Sequence, residues 1–340
     1  MTDSGSFLDL SGLSAPVTLR EVRRSDRRRR TPYSRRWWVV AAGLAVYLAA
    51  QAAFVAAIVP IGVTDPELRG TVTGAVLMVS GVLAAAWALQ AWRNASRVVR
   101  IERAARANGL EFDPMPTAVP LVGMVAEQAA NTLATDVLRS TDPRRPAFTA
   151  ATIGPGIARA ARQGGILVLE LDRRTPHIVV VNRRARGRHD LRARFRGDQR
   201  LRLEGNFDRT FSLYCPAGYE TDALYFFTPD VMARMLDLAS DCHAELVDGF
   251  LVLTSGRPWS LGTPRGFAAL VTLAVDLGGR VRSQTSRYVD DRADAPGEVA
   301  APGRRLRRRV SLGAVLAAAV PAACVVAGGL QIAAGLGLVP

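Results

Sequence analysis

The run "AELVDGFLVLT", Ala244 to Thr254, decides the fold class of the main domain. Its Asp248-Gly249 pair stands between two apolar runs. This is the strongest short-range signal for a β-hairpin, because both residues tolerate the positive φ that a two-residue turn needs. Further β-rich runs precede it: "ILVLELD" and "HIVVVN", which "RRTP" joins as a predicted hairpin, and then "RLRLE", "RTFSLYC" and "TDALYFF". The sequence therefore predicts a mostly antiparallel sheet.

Two amphipathic helices are predicted beside these strands. Thr228-Pro229 and Thr263-Pro264 each supply an N-cap hydroxyl followed by a proline that suits the first helical position. Strands covered by amphipathic helices predict an α+β domain. Between residues 111 and 165 the pattern indicates only irregular structure with one short helix.

Three long runs without a charged residue lie outside this domain. Each exceeds the roughly 20 apolar residues that cross a hydrocarbon core of about 30 Å. The predicted layout is a disordered basic tail at 1–36, transmembrane helices at 37–63 and 70–92, a juxtamembrane basic helix at 93–109, the α+β domain at 110–290, a flexible linker at 291–309 and a third transmembrane helix at 310–338. The polar tail before the first run argues against a cleavable signal peptide.

Arginine placement predicts the orientation of these helices. Every one of the 44 basic residues is arginine, and the net charge is +14. Arginines cluster before the first run, after the second and before the third, whereas the loop "TDPELR" holds a single one. The positive-inside rule therefore predicts a plasma (inner) membrane protein with the N-terminus and main domain in the cytoplasm and the C-terminus outside. The absence of lysine also excludes Schiff-base and P-loop chemistry.

The juxtamembrane helix carries a stripe of arginines that recur at helical spacing and share one face. They are Arg93, Arg97, Arg100, Arg103 and Arg106. Beside anionic lipid headgroups each would contribute about 1 kcal/mol, and the alternative is a solvated helix face. We predict these five as lipid-contacting residues.

A second basic segment, residues 183–202, reads "RRARGRHDLRARFRGDQRLR". Nucleic acid is not the expected partner, because recognition of single strands interleaves aromatic residues and only Phe195 is present. No known nucleic-acid-binding motif accompanies the segment either. Anionic lipid is the simpler partner, and a solvated loop is the alternative.

Cys215 decides whether an enzyme is worth proposing. Side chains in "TFSLYC" alternate between faces, so Cys215 shares the apolar face with Phe211 and Leu213. Free cysteine is usually buried and behaves as a small hydrophobe, which predicts a core role. The alternative is a membrane-bound enzyme with a site around Cys215 or Asp241-Cys242-His243, and an exposed cleft at those residues would favour it.

No catalytic, cofactor-binding or metal site is predicted. The three cysteines and three histidines share no metal-ligand spacing. No nucleotide-binding, metalloprotease or hydrolase motif is present. We therefore expect no enzyme and no cofactor, but a membrane-anchored binding or scaffold module that contacts anionic lipid or a protein partner.

Two stretches carry a family resemblance: "LEGNFDRTFSLYCPAGYETDALYFFTPDVMARMLD", Leu203 to Asp237, and "ANGLEF", Ala107 to Phe112. They resemble a family of uncharacterised actinobacterial multi-pass membrane proteins. The resemblance implies a cytoplasmic domain of unknown function attached to a few spans. It implies no activity, cofactor or catalytic residue.

Overall fold

The computed structural model places the chain in two compact units. It describes residues 8–28, 36–57, 65–115, 122–124, 132–140, 142, 146–155, 164–184, 195–203 and 206–307. The first unit comprises Met1–Phe112 with Ser260–Ala268, and the second comprises Asp113–Trp259 with Ala269–Pro340. The predicted third span, 310–338, lies outside the described residues.

The first unit is helical. Its elements are α1 (Ser11–Ser14), α2 (Leu19–Arg28), α3 (Arg36–Ala57) and α4 (Pro66–Ala107), followed by the short strand β1 (Leu110–Asp113). Helix α4 begins where the Asp65 carboxylate accepts the N–H of Glu67 at 3.0 Å, with Pro66 in the first turn. Its last helical residue is Ala107, and Asn108 is its C-cap residue. Gly109 has a φ of +68°, so the predicted helix end is confirmed.

Among the described residues, α4 is the one helix long and apolar enough to cross a membrane. Only 6% of its most apolar 18-residue stretch is buried. The exposed fractions of the Met78 and Val82 side chains are 67% and 64%. Such a surface suits lipid better than water. In α3 the described apolar stretch, Ala45–Val55, is shorter. By length and composition, the described residues therefore hold one helix that could cross a membrane, where the sequence predicts three.

The tail predicted to be disordered contains two helices that pack against α4. Glu21 accepts the N–H of Thr18 at 2.8 Å, and the Thr18 hydroxyl accepts the N–H of Glu21 at 3.4 Å, which is a capping box at the start of α2. Leu13 and Val22 are buried. The tail is folded, contrary to the prediction, because Leu13 in α1 and Val22 in the arginine-rich α2 give these helices apolar side chains to bury.

In its described residues, the second unit contains eight strands in one antiparallel sheet. They are β2 (Thr132–Ser140), β3 (Phe148–Pro155), β4 (Gly164–Glu170), β5 (Ile178–Asn182), β6 (Arg200–Leu201), β7 (Phe211–Tyr214), β8 (Cys242–Val247) and β9 (Phe250–Ser255). Their spatial order is β2-β3-β4-β9-β8-β5-β7-β6. Asp248 and Gly249 have φ angles of +50° and +86°, and Val247 pairs with Phe250, so the predicted hairpin is confirmed.

Three local predictions for this sheet are wrong. β2 and β3 form a hairpin in the segment predicted to be irregular. β4 and β5 are not paired with each other, because β4 pairs with β3 and β9 while β5 pairs with β7 and β8. The run "TDALYFF" is helical, since Tyr219, Ala223 and Phe226 are buried at helical spacing.

Helices complete the second unit and, with the sheet, confirm the predicted α+β class with a mostly antiparallel sheet. The helices are α5 (Phe207–Thr210), α6 (Glu220–Phe226), α7 (Pro229–Leu238), α8 (Pro264–Thr272, which begins in the first unit) and α9 (Gly278–Thr285). The predicted caps are present: the hydroxyls of Thr228 and Thr263 accept N–H groups at 3.4 and 3.1 Å.

The helical stretch that begins at Pro264 continues to Thr285. A π-helical turn, Leu273–Leu277, joins α8 to α9 without a break at Gly278. A side chain at Gly278 would overlap Leu169 of β4, so glycine lets this helix approach the sheet closely. β4 is buried on both faces, which explains its continuous apolar sequence.

Residues 291–307, the described part of the predicted flexible linker, are packed against the domain. Val299 and Leu306 are buried, and residues Ala301–Gly303 form a 3₁₀ turn. The Asp-, Pro- and Gly-rich composition correctly indicates loop conformation. It does not reveal the tertiary contacts that fix this loop.

Candidate functional site

The five arginines predicted to contact lipid all lie on the C-terminal half of α4. Arg93 and Arg106 are exposed, and Arg97, Arg100 and Arg103 are half-buried. The helix runs without interruption from its exposed apolar half into this basic half. The stripe therefore begins at the residue that ends the uncharged run, where headgroups would lie if the run crosses a bilayer.

Arg103 and Arg106 form ion pairs within the protein. Arg103 pairs with Glu21 of α2 and donates to the carbonyl of Pro16 at 3.2 Å, and Arg106 pairs with Glu102. Hydrogen bonds from the backbone and hydroxyl of Thr18, together with Arg103, lower the pKa of Glu21 to about 2. The Arg103–Glu21 pair links α2 to α4, whereas the Arg106–Glu102 pair lies within α4. Arg93, nearest the apolar half, is the arginine best placed for a headgroup.

The thiols considered for catalysis are buried. The exposed fractions of Cys215, Cys242 and His243 are 1%, 4% and 2%, so Cys215 is a core residue, as predicted. Burial raises the pKa of Cys215 to about 12, and the charges of Glu220 and Asp222 add to the shift. Burial likewise raises the pKa of Cys242 to about 12. A thiolate nucleophile is disfavoured at both positions.

A buried histidine–carboxylate pair that the sequence did not reveal lies at the centre of the second unit. His177 Nε2 is 2.8 Å from Oε1 of Glu245, and each side chain is only 2% exposed. His177 Nδ1 accepts the N–H of Leu306 at 3.0 Å, so the ring donates through Nε2 and is neutral. The Glu245 carboxylate also accepts the N–H of Met124 on both oxygens, at 3.0 and 2.9 Å.

This pair joins four separate parts of the chain, which are the segment at 122–124, the start of β5, strand β8 and the loop before residue 307. Gly123 has a φ of +74°, and a Cβ there would stand 2.5 Å from Oε2 of Glu245. Only glycine lets this backbone approach the carboxylate so closely. Both side chains are buried, so the pair cross-links these four parts in the interior of the unit.

The C-terminal strap, defined here as residues 299–307, is tied to the domain at several points. The N–H of Leu306 donates to the His177 ring, as described above. In addition, the Gly303 carbonyl accepts the backbone N–H of His177 at 2.8 Å. The oxygen and nitrogen of the Gln199 carboxamide are assigned so that both form hydrogen bonds. The nitrogen donates to the Arg307 carbonyl at 2.7 Å, and the oxygen accepts the N–H of Arg307 at 3.1 Å. The last described residue before the predicted third span is thus held by the sheet domain.

A second polar cluster surrounds Asp290, which is 5% exposed. It accepts the hydroxyl of Tyr219 at 2.7 Å and the N–H of Ala300 at 2.9 Å. Arg292 stacks 4.6 Å from the Tyr219 ring centroid and pairs with Asp222 at 3.1 Å. Burial opposes ionisation of Asp290, but hydrogen bonds from Ala300, Tyr219 and Arg292 hold its pKa below the usual value.

A groove of about 710 Å³ lies beside the β8–β9 turn. Three of the five charged residues that line it are in ion pairs within the protein. The ion pairs are Arg282–Asp172 at 2.8 Å, Arg174–Glu298 at 2.9 Å and Arg305–Asp248 at 2.6 Å. No group of three or more His, Cys, Asp or Glu side chains in the described part of the chain could hold a metal ion.

Residues 185–194 of the arginine-rich segment lie outside the described residues. At its described ends, Arg183 donates to the carbonyl of Asp208 at 2.7 Å, and Arg200 pairs with Asp208 at 3.6 Å. Phe195 is buried and its ring lies 4.7 Å from that of Tyr214. The aromatic residue of the segment is thus part of the core and is not offered to a ligand.

The sequence matches no family model, and no curated protein is similar enough to count as a relative. A solved structure with some likeness is the crystal structure of the mycobacterial trehalose monomycolate transport factor A, TtfA. The sequence identity is 12%, and the alignment covers 55% of this chain and 91% of that chain with a TM-score of 0.35. A likeness of this size establishes neither a shared fold nor a shared function.

Proposed function

We propose that this protein is a membrane-anchored binding module whose α+β domain lies in the cytoplasm. In this proposal α3, α4 and the uncharged run at 310–338 anchor it in the inner membrane. The basic half of α4 contacts anionic lipid, and the α+β domain offers its surface to a protein partner. The arginine flanks of the three runs support the orientation through the positive-inside rule.

The observation that carries the proposal is the continuity of α4. Its 42 residues span about 63 Å at about 1.5 Å per residue, roughly twice the hydrocarbon core. One half is exposed and apolar. The other half buries Val99, Ile101 and Ala104. A helix with these two halves passes from lipid into folded protein, and the stripe from Arg93 to Arg106 begins where the apolar surface stops.

Lipid retention by the purified full-length protein tests the proposal. We expect the wild type to retain anionic phospholipid through detergent washing and to lose it as salt rises, because salt screens exposed charges. The triple variant Arg93→Gln, Arg97→Gln, Arg100→Gln should bind it on the order of 100-fold more weakly at low salt, since three arginines at about 1 kcal/mol each contribute about 3 kcal/mol. Phospholipid bound per protein is measured by mass spectrometry.

A matched control removes the same charge elsewhere. Arg209, Arg257 and Arg265 are exposed and lie on other elements. Their triple substitution by glutamine should leave retention unchanged. An equal loss of bound phospholipid in the two triple variants would show a general charge effect. Unchanged phospholipid retention in the variant of Arg93, Arg97 and Arg100 would remove the lipid contact from the proposal.

A further inference from the structure

Three large hydrophobic side chains are exposed among the described residues of the second unit. They are Leu224, Tyr225 and Val289, with exposed fractions of 48%, 38% and 55%. Leu224 and Tyr225 belong to α6, and Val289 follows Tyr288. The Tyr288 ring lies 6.1 Å from that of Tyr225 and 4.7 Å from that of Phe226. The three residues are here named the apolar patch: Tyr225 packs on this aromatic cluster, and Leu224 and Val289 adjoin Tyr225 and Tyr288 in the chain.

The base of the apolar patch is fixed by hydrogen bonds. The Tyr225 hydroxyl donates to the carbonyl of Gln284 at 3.0 Å, and the Tyr288 hydroxyl donates to Asp222 at 2.8 Å. Phe226 is fully buried beneath them. The patch is thus presented by a rigid support and is not the frayed end of an element.

The C-terminal strap passes beside the apolar patch. Ala300 donates to Asp290, the neighbour of Val289, and Gly303 packs on Tyr219 at the start of α6. The uncharged run begins at Val310, seven residues after Gly303, which is about 24 Å at full extension. If that run enters a bilayer, the patch lies within reach of the membrane surface.

The chemistry of the patch fits the boundary between headgroups and acyl chains. Tyrosine with leucine and valine joins a polar tip to an apolar body, as interfacial side chains do. The exposed charges nearby in sequence are mixed in sign, with Arg287 against Glu220 and Asp291. Contact with lipid here would therefore depend on apolar insertion and not on the charge of the lipid.

We propose that Leu224, Tyr225 and Val289 form a membrane-contact surface that inserts into the cytoplasmic leaflet. This inference rests on the proposed function, because it takes the strap to lead into the bilayer. A tether of a few residues keeps the membrane at high effective concentration, so even a small apolar surface is occupied by lipid much of the time. The surface would hold the α+β domain in one orientation on the membrane.

Fluorescent labelling of full-length protein in vesicles tests the surface. Leu224→Cys and Val289→Cys are each made in a Cys324→Ala background and labelled with an environment-sensitive dye, since buried Cys215 and Cys242 react slowly. Ala233→Cys, exposed on α7, is the matched control. We expect blue-shifted emission at 224 and 289, quenched by lipids with a spin label near the headgroup, and neither effect at 233. Neutral and anionic vesicles should give the same result.

Each other outcome overturns the proposal. Water-like emission at 224 and 289 refutes it, and so does a blue shift that lipid spin labels do not quench, which would indicate a protein partner, a second copy or another part of the chain. Equal quenching at 233 also refutes it. Co-flotation of the same samples after an alkaline wash reports the anchor separately, so loss of flotation would count against the proposed function instead.

Discussion

Gly123 and Gly218 both have positive φ angles, +74° and +84°, but only Gly123 has a neighbour that a side chain would meet. We expect Gly218→Ala to lower the free energy of unfolding by about 1–2 kcal/mol, the cost of the left-handed conformation. Gly123→Ala should cost about 1–3 kcal/mol more, because its Cβ displaces the Glu245 carboxylate from the Met124 N–H.

Chemical unfolding of the full-length protein in detergent, followed by near-ultraviolet circular dichroism, measures both costs. Gly197→Ala serves as the control, since that residue has no positive φ and no atom within 4 Å of an added Cβ. Equal costs for Gly123→Ala and Gly218→Ala would mean that the Glu245 contact contributes nothing.

Single residues also show which parts of the core could be predicted. The burial of Cys215 follows from alternation along one short strand, which is local information. The His177–Glu245 pair joins residues 68 apart in the chain, and no local pattern specifies that partnership. Its one trace in the sequence is a carboxylate inside the apolar run "AELV", where a charge must find a buried partner.

At the scale of helices and strands, short motifs of a few neighbouring residues correctly predicted where a turn lies and where a helix begins. The Asp248-Gly249 turn and the Thr-Pro helix starts are of this kind. The "RRTP" hairpin prediction was wrong because a turn signal does not select a pairing partner, and β4 and β5 each pair with strands distant in sequence. The helix α6 was missed because "TDALYFF" combines β-favouring residues with a helical burial pattern that only the packed structure makes visible.

The contact between α2 and α4 should weaken in acid. The pKa of Glu21 is lowered from 4.5 to about 2 in the folded state, so its contribution is complete above about pH 4.5 and is lost as pH falls toward about 2. We expect amide hydrogen exchange in residues 19–28, corrected for the intrinsic rate, to accelerate across this range.

Glu21→Gln provides the reference for this measurement. It lacks the titrating group, so α2 should already exchange faster at neutral pH, with little further change from that side chain between pH 5 and pH 3. Protection of α2 that is the same at pH 5 and pH 3 in the wild type would contradict the assigned role of Glu21.

For the whole molecule, length and charge alone predicted a long apolar helix at α4, and the structure has a helix there that is long and apolar enough to cross a membrane. The N-terminal helices and the strap could not be predicted, since both depend on contacts between distant segments. We expect a topology reporter inserted near Gly256 to report the cytoplasm and one fused after Pro340 to report the outside. Both reporters on one side of the membrane would contradict the three-span arrangement.

The packing of the N-terminal helices on α4 has a consequence for connectivity. Ser25 bonds to Glu102 at 2.6 Å, and Asp9 donates to Asn108 at 3.0 Å, so non-covalent bonds close the chain between them into a ring. Both ends of that ring meet in one aqueous compartment. If α4 pierces a bilayer once, the rest of the ring must pierce it again in the opposite sense. Between Arg28 and Pro66, α3 is the described helix in this part of the ring. This parity argument does not involve arginine placement.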